Sequence, residues 1–306
     1  MTDGAVHVPV LLHESISALR INPGGIYLDA TAGQGGHSAL MLDQSAPRGV
    51  VYAFEWDAMA VAFLKRRFAK EIGAARYVLF HDSFANMAQR MHESRQERVD
   101  GILFDFGFSR FTIEQSNRGF SFRSDEPLLM TYDAEQKPNA AQLLDALSEQ
   151  DLSLLLWRYG EERFARRIAQ AIAEARKRSP IATTRELADL VSGAYPPRFR
   201  HGRLHPATKT FQALRIAVNH ELENIETALP QAAALLGPGA RMVTLTYHSL
   251  EDRIVKQFMR ETERNGSGKN VLKKPAVPQT EEIARNPAAR SAKMRILEKT
   301  TAAIPT

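Results

Sequence analysis

Apolar runs of strand length alternate with helix-patterned segments through the first third of the chain. The runs lie at residues 26–31, 50–54, 76–80 and 100–106, and helical periodicity fills 58–70 and 83–92 between them. Strands that alternate with helices form parallel sheets, and the helices cover both faces of the sheet. The pattern therefore predicts a doubly wound α/β domain.

The alternation stops after residue 110. No clear strand pattern is present between 111 and 236, whereas 160–178 and 208–229 have helical periodicity. We therefore predict an all-helical domain at 111–215, inserted into a discontinuous α/β domain formed by residues 1–110 and 216–306.

The sheet is expected to resume after the insertion. Residues 241–247 have the pattern of a fifth strand and 294–297 that of a last strand. Between them a helix is predicted over 250–260, with Ser249 as its N-cap and Asp252 three residues later. The sequence Gly-Ser-Gly-Lys-Asn at 266–270 predicts a flexible loop.

A glycine cluster follows the first predicted strand. Asp29 ends that strand, and Gly33, Gly35 and Gly36 then open a helix. Glycines let the backbone turn tightly and approach a ligand, and the first turn of a helix offers unpaired N–H groups. Glu55 ends the second strand nineteen residues past Gly36, near where such folds place an acid on ribose hydroxyls. This spacing indicates a nucleotide-type cofactor pocket, although an ordinary strand-to-helix turn is the local alternative.

The dinucleotide fingerprint G-x-G-x-x-G fails here, because position 38 is Ser. S-adenosylmethionine brings no pyrophosphate, and acids favour its sulfonium cation. Asp29 and Asp105 both end predicted strands, and the glycine loop resembles that of class I (Rossmann-like) S-adenosylmethionine-dependent methyltransferases. Because burial of an unpaired carboxylate among apolar residues is costly, we interpret Asp105 as a functional acid; a strand-end cap is the alternative.

Charge is unevenly distributed along the chain. The net charge is +5, yet residues 158–215 hold thirteen basic and five acidic side chains, a local balance of +8 that leaves −3 elsewhere. Such asymmetry favours a polyanionic partner, most commonly a nucleic acid, with Arg163, Arg166 and Arg167 as candidate contacts. A solvated helical surface is the alternative.

Composition excludes several other classes of site. The chain has no cysteine, so disulfides, thiolate metal sites and a thiol nucleophile are ruled out. Its nine histidines are scattered, and no metal site is expected. His248, at the end of the fifth strand, is a candidate substrate contact or a satisfied structural histidine. No apolar run approaches the roughly 20 residues of a membrane span, and a signal-peptide pattern is lacking, so we expect a cytoplasmic protein.

Several longer motifs resemble those of the RsmH (also called MraW) family of small-subunit ribosomal RNA methyltransferases. They occur in family order at 7–12, 29–38, 100–107, 118–122, 159–165, 205–216, 247–256, 286–287 and 290–293. Because these stretches span nearly the whole chain and several are peculiar to the family, the resemblance is specific.

The resemblance implies an enzyme that methylates the N4 amine of a decoding-site cytidine, with S-adenosylmethionine as cofactor and ribosomal RNA as partner. The residues implied to contact the cofactor are Gly35, Gly36, His37, Glu55, Phe84 and Asp105, and the glycine-loop pattern adds Gly33. His37 and Phe84 enter only through the resemblance, Phe84 as a neighbour of the adenine; locally, Phe84 also fits a core position. Glu55 replaces the family's usual Asp on the ribose. Asp105 is also the catalytic candidate, as the acceptor that aligns the amine.

The chain departs from the family pattern at two loops beside the predicted cleft. Arg110 and Thr112 stand where the family has Ser and Gln, and Leu129 and Thr131 stand where it has an acid and a base. Two alternatives therefore accompany the main hypothesis. One is an active methyltransferase with another RNA or DNA target, and the other is a non-catalytic ribosome-assembly or RNA-binding protein.

Overall fold

The computed structural model describes residues 9–107, 116–133, 136–202 and 204–300. Its strands are β1 (Ile26–Asp29), β2 (Val50–Glu55), β3 (Tyr77–His81), β4 (Val99–Asp105), β5 (Leu236–Thr246), β6 (Gly268–Asn270) and β7 (Lys293–Lys299). Its helices are α1 (Leu12–Leu19), α2 (Gly36–Gln44), α3 (Ala58–Arg67), α4 (Ala69–Gly73), α5 (Met87–Glu93), α6 (Ala140–Ala146), α7 (Glu149–Gly160), α8 (Ala165–Arg176), α9 (Thr184–Ala194), α10 (Thr208–Asn219), α11 (Glu221–Leu235), α12 (Ser249–Arg264) and α13 (Thr280–Arg285).

The strands form one sheet in the order β3-β2-β1-β4-β5-β7-β6. The first five strands pair in parallel, and β7 pairs antiparallel with β5 and with β6. Leu28 in β1 and Ile102, Leu103 and Phe104 in β4 are fully buried, because helices cover both faces of a parallel sheet. The α/β fold predicted from the sequence is confirmed.

The chain divides into two compact units. The large unit comprises residues 1–109 and 222–306, and the inserted unit comprises 110–221. Each has its own hydrophobic core among the described residues, with Leu103 and Val243 in the first and Ile168 and Leu214 in the second. The helix α10, at Thr208–Asn219, carries the inserted unit beyond residue 215, where the sequence analysis ended it.

Two long helices predicted from periodicity are interrupted. The segment 160–178 divides at Glu161, which takes the left-handed conformation (φ 46°) as the C-cap of α7, and α8 begins only at Ala165. The segment 208–229 divides at His220, also left-handed (φ 51°). Hydrophobic periodicity continues across such breaks, because the helix resumes after the four residues 161–164 in the first case and after His220 alone in the second.

Two details after the insertion also differ from the prediction. Residues 268–270, expected in a flexible loop, form the edge strand β6, which pairs with the end of β7. The N-cap of α12 is His248 rather than Ser249: its ring accepts the Glu251 N–H, and the Glu251 side chain returns to the His248 N–H. Within the described residues, no helix is long and apolar enough to cross a membrane.

A charged cluster joins α12 to β7. Asp252 accepts hydrogen bonds from Arg295 Nε at 2.8 Å and from Lys293 Nζ at 3.0 Å, and its residue is 8% exposed. Burial alone would raise the pKa of Asp252, but the hydrogen bonds from Arg295 and Lys293 outweigh it and lower the pKa. The cluster therefore contributes stability above the ordinary carboxyl pKa, and this contribution is lost as the pH falls through the lowered pKa.

We predict that Asp252→Asn lowers the free energy of unfolding by about 2 kcal/mol at pH 7, because two cations lose their shared counter-charge. The deficit relative to the parent should shrink in acid, where Asp252 is protonated in both states. Urea denaturation at pH 7 and in acid measures both effects. Glu174→Gln, which breaks only the surface pair with Lys177, is the control and should leave the pH 7 transition unchanged; equal curves for Asp252→Asn and the parent would contradict the prediction.

Candidate functional site

The end of β1 is organised by a buried carboxylate. Asp29 is fully buried and accepts the Ser38 hydroxyl at 2.6 Å and the Thr31 N–H at 3.3 Å. Burial raises the pKa of Asp29. Its oxygens thus bind the loop and the first turn of α2, so Asp29 stabilises the glycine loop. The sequence had suggested instead that Asp29 faces a ligand.

The three glycines of this loop are required for different reasons. Gly33 and Gly35 have positive φ angles of 54° and 77°. A side chain at Gly35 would collide with Phe68 and Leu64. At Gly36 it would collide with Pro9. The backbone of the loop is therefore fixed in a path that only glycine permits.

Glu55 closes the loop from the neighbouring strand. Its Oε2 accepts the Gly33 N–H at 2.8 Å and its Oε1 accepts the Asp57 N–H at 2.8 Å. Burial raises the pKa of Glu55 to about 7, against the opposing effect of these N–H donors. Glu55 is thus a carboxylate poised to change charge near neutral pH, at the carboxyl end of β2.

His37 lies in the first turn of α2, between the two strand-end acids. Burial lowers its pKa to about 4, so the imidazole is neutral at pH 7. Its Nδ1 is 4.0 Å from Asp105 Oδ2, beyond hydrogen-bond distance. Its Nε2 is buried and has no hydrogen-bond partner among the described residues, an arrangement that favours a ligand contact.

Asp105 lies where β4 ends beside β1. Its N–H donates to Thr31 Oγ1 at 2.6 Å, which ties the ends of the two strands together. Its Oδ1 accepts the Tyr247 hydroxyl at 2.8 Å and the Gly107 N–H at 3.1 Å. Burial, followed by the nearby Asp105 charge, raises the pKa of Tyr247 well above its ordinary value, so its hydroxyl stays a donor. The carboxylate is held in one orientation, and its side chain is 19% exposed.

Phe84 belongs to an aromatic cluster at the same edge of the sheet. Its ring centroid is 5.9 Å from that of Phe104 and 5.8 Å from that of Phe106. Phe104 and Phe106 stack on each other at 5.1 Å. Phe84 is partly exposed, in the turn that follows β3, so the cluster presents an apolar surface there.

The structure brings the predicted cofactor residues to the carboxyl ends of β1, β2, β3 and β4. In doubly wound sheets, ligands bind at this edge where the chain leaves adjacent strands on opposite faces, as it does between β1 and β4. Tyr247 and Thr31, which hold Asp105, were not singled out from the sequence. A tyrosine directly after the fifth strand is a positional signal for this edge, but its partner is set only by the register of β4 and β5.

The predicted substrate residues are not at the ends of β1 to β4 with the predicted cofactor residues. Arg163, Arg166 and Arg167 are exposed in the inserted unit, Arg163 before α8 and the others in its first turn. His248 caps α12, and its Nε2 lies 3.0 Å from Glu251 Oε1 without hydrogen-bond alignment. His248 thus has a structural role, and its contact with substrate stays a prediction.

The departures from the family pattern are only partly within the described residues. Arg110 and Thr112 lie outside them. Leu129 accepts the Ala140 N–H at 2.8 Å through its carbonyl oxygen, and Thr131 is 2% exposed. Both positions therefore carry uncharged side chains where the resemblance predicts an acid and a base.

Comparison with known proteins identifies the family of this chain. The model of the MraW methylase family matches residues 4–300. A ribosomal RNA small subunit methyltransferase H from Dehalococcoides mccartyi is 44% identical over 308 residues, covering 96% of this chain and 86% of that protein. One from Coprothermobacter proteolyticus is 44% identical over 299 residues, covering 98% of each. A solved SAM-dependent O-methyltransferase from Thermotoga maritima aligns with a TM-score of 0.44 and 10% identity, over 98% of this chain and 70% of that one. The chain belongs to the MraW methylase family.

Proposed function

We propose that the chain transfers the methyl group of S-adenosylmethionine to the N4 amine of a cytidine at the decoding site of small-subunit ribosomal RNA. Its cofactor is S-adenosylmethionine, the methyl donor of its methylase family. The relatives' name, ribosomal RNA small subunit methyltransferase H, supports the RNA substrate. Cytidine N4 as the target rests on the motifs described above.

The residues at the sheet edge fit the cofactor. Glu55 can accept hydrogen bonds from the ribose hydroxyls, and the glycines allow the ligand to approach the backbone. Phe84 offers an apolar surface to the adenine, and His37 Nε2, which has no hydrogen-bond partner in the described part of the chain, offers a polar contact. The carboxylate of Asp105 suits a cationic sulfonium. We therefore assign cofactor binding to Gly33, Gly35, Gly36, His37, Glu55, Phe84 and Asp105.

The oriented carboxylate of Asp105 is the observation that carries the proposal. S-adenosylmethionine supplies an electrophilic methyl group when bound. A cytosine amine is a weak nucleophile, because its lone pair is conjugated with the ring. Asp105 would accept a hydrogen bond from this amine, align its lone pair with the methyl carbon, and favour the positive charge that would develop on nitrogen as the N–C bond forms and the methyl–sulfur bond breaks. The bonding electrons would stay on the thioether of S-adenosylhomocysteine, and the amine would then lose one proton to water.

The target base must leave its stack to reach such a carboxylate, as base-modifying enzymes require. The exposed arginines of the inserted unit, Arg163, Arg166 and Arg167, would hold the surrounding RNA through its phosphates. Phosphate contacts of this kind fix the position of the RNA, and the carboxylate then acts on one base.

We expect the chain to form N4-methylcytidine on small ribosomal subunits that lack the modification, and Asp105→Asn to lower the rate roughly a hundredfold or more. Transfer from labelled S-adenosylmethionine followed by nucleoside analysis is the measurement. Asp100→Asn is the matched control, because Asp100 lies on the same strand near its opposite end, where it accepts the Ile26 N–H at 2.7 Å. A different methylated nucleoside would reject the target, and absence of both transfer and cofactor binding would favour an assembly protein.

Tyr247→Phe is expected to lower kcat roughly tenfold and to leave the affinity for S-adenosylhomocysteine nearly unchanged. The variant removes the hydroxyl that orients Asp105 and leaves the carboxylate in the site. Steady-state kinetics and calorimetry separate the two quantities. Tyr52→Phe, whose ring packs on Phe80 in the same sheet, is the control. A purely structural role for Tyr247 would appear instead as a lower Tm with an unaltered kcat.

Binding of S-adenosylhomocysteine should tighten as the pH rises from 6 to 8, by roughly tenfold for a group with a pKa near 7. The Glu55 carboxylate, which accepts ribose hydroxyls best, is the minor form at pH 6 and the major form at pH 8. His37 stays neutral throughout this range, because its pKa is about 4. Calorimetry at each pH measures the dependence.

Glu55→Gln should flatten this pH profile, since the amide does not titrate. Asp29 also has a pKa raised by burial, so any slope that survives in Glu55→Gln belongs to Asp29 or another group. An equal slope in the parent and in Glu55→Gln would remove Glu55 as the titrating group.

A further inference from the structure

The inserted unit has an exposed tryptophan beside a groove that the proposed chemistry does not use. Trp157 and Leu154 are 64% and 56% exposed on α7. They are three residues apart, so their side chains share one face of the helix. The opposite face is the packed one, with Leu152 and Leu156 fully buried. Packing among the residues that the structure describes therefore gives no reason for a large aromatic side chain at position 157.

The groove beside Trp157 has a volume of about 730 Å³. Its lining includes Arg163, Arg166 and Arg167. Among the described lining residues the acids are Glu149, which is exposed, and Glu162, which is 1% exposed and accepts the Tyr195 hydroxyl at 2.5 Å. The surface of the groove is therefore predominantly positive.

The arginine nearest the bend of the chain is held in place. The Arg163 guanidinium carbon lies 3.9 Å from the centroid of the Phe199 ring and 4.5 Å from that of Phe164. Glu162 fixes the connection that carries Arg163, because its Oε1 accepts the Phe164 N–H at 2.8 Å. An arginine stacked on two rings loses little freedom on binding, so this charge is preorganised.

An exposed indole plane next to one stacked arginine and two exposed arginines matches the chemistry of single-stranded nucleic acid. Unpaired bases stack on aromatic rings and on guanidinium planes, and the arginines neutralise the neighbouring phosphates. A duplex would not expose its bases to the indole. The apolar surface of a protein partner could also pack on Trp157 and Leu154. Such a partner would not explain the three arginines that line the same groove.

We infer that the groove between α7 and α8 binds a single-stranded segment of RNA, with one unpaired base stacked on Trp157 and its flanking phosphates on Arg166 and Arg167. The site deepens the proposed function and rests on it for the identity of the RNA. It would hold a nucleotide other than the one that is methylated, and so fix the position of the substrate.

Fluorescence tests this stacking directly. The chain has two tryptophans, so Trp56→Phe leaves Trp157 as the only one. A single-stranded RNA of ten nucleotides, titrated into the full-length Trp56→Phe protein, should quench the emission strongly, and a duplex of equal length should not. Unchanged emission at RNA concentrations that bind by a filter assay would overturn the inference.

Affinity and its salt dependence separate the stacking from the charges. Trp157→Ala should raise the Kd for the single strand roughly tenfold without changing the slope of log Kd against log salt, and Trp157→Phe should restore most of the affinity. Arg166→Gln with Arg167→Gln should reduce that slope by roughly 1.4, at about 0.7 for each phosphate released. An unchanged Kd in Trp157→Ala, with an unchanged Tm, would overturn the inference.

These outcomes are distinguishable from failure of the proposed function. Methylation of cytidine in the subunit by the parent, with the same KM in Trp157→Ala, would leave the function in place and reject the groove. Quenching of Trp157 by the single strand in a protein that transfers no methyl group would support the groove and reject the function.

Discussion

The hydrogen bond from the Asp105 N–H to Thr31 Oγ1 is the constraint on which the site depends. It joins the ends of β1 and β4 at 2.6 Å, just where the chain leaves the two strands in different directions. The Ala30 N–H, which donates to the Leu103 carbonyl at 2.9 Å, continues the pairing one residue earlier. Because both bonds are made by the backbone or by a short side chain, the two strand ends cannot separate without the loss of buried polar contacts.

The carboxylates around this junction have different roles because their surroundings differ. Asp29 is fully buried and its oxygens are used by Ser38 and Thr31, so it belongs to the framework. Asp105 is partly exposed and is oriented by Tyr247 and Gly107. Two strand-end acids that look equivalent in the sequence thus differ in burial and in hydrogen-bond partners, and the proposed chemistry is assigned to Asp105.

Much of this arrangement could be predicted from local sequence patterns. The strands of the parallel sheet are apolar runs buried on both faces. The glycine loop is recognisable because its backbone path requires glycine at several positions. The breaks at Glu161 and His220 could not be found in this way. Each depends on a left-handed backbone conformation, which glutamate and histidine do not usually adopt. The cap at His248 and the edge strand β6 were not predicted for a related reason. Each is defined by its partner, Glu251 for the cap and β7 for the strand.

Side-chain partners on neighbouring strands could not be predicted from the sequence either. Tyr247 meets Asp105 because β5 runs beside β4 in a register that pairs Leu245 with Asp105. In the inserted unit, charge counting drew attention to the arginines, whereas Trp157 became notable only when its exposure was known. Sequence patterns identify which residues could carry chemistry, and tertiary structure decides which of them are already occupied.

The hydrogen bonds that Glu55 accepts from the Gly33 and Asp57 N–H groups determine when the entropy cost of ordering the glycine loop is met, at folding or at ligand binding. They are bonds within the chain, so the conformational entropy of the glycine loop is lost when the protein folds. A ligand that enters later needs to order little of the loop, and more of its contact energy is expressed as affinity. The Glu55 carboxylate thus stabilises the conformation of the glycine loop before any ligand is present.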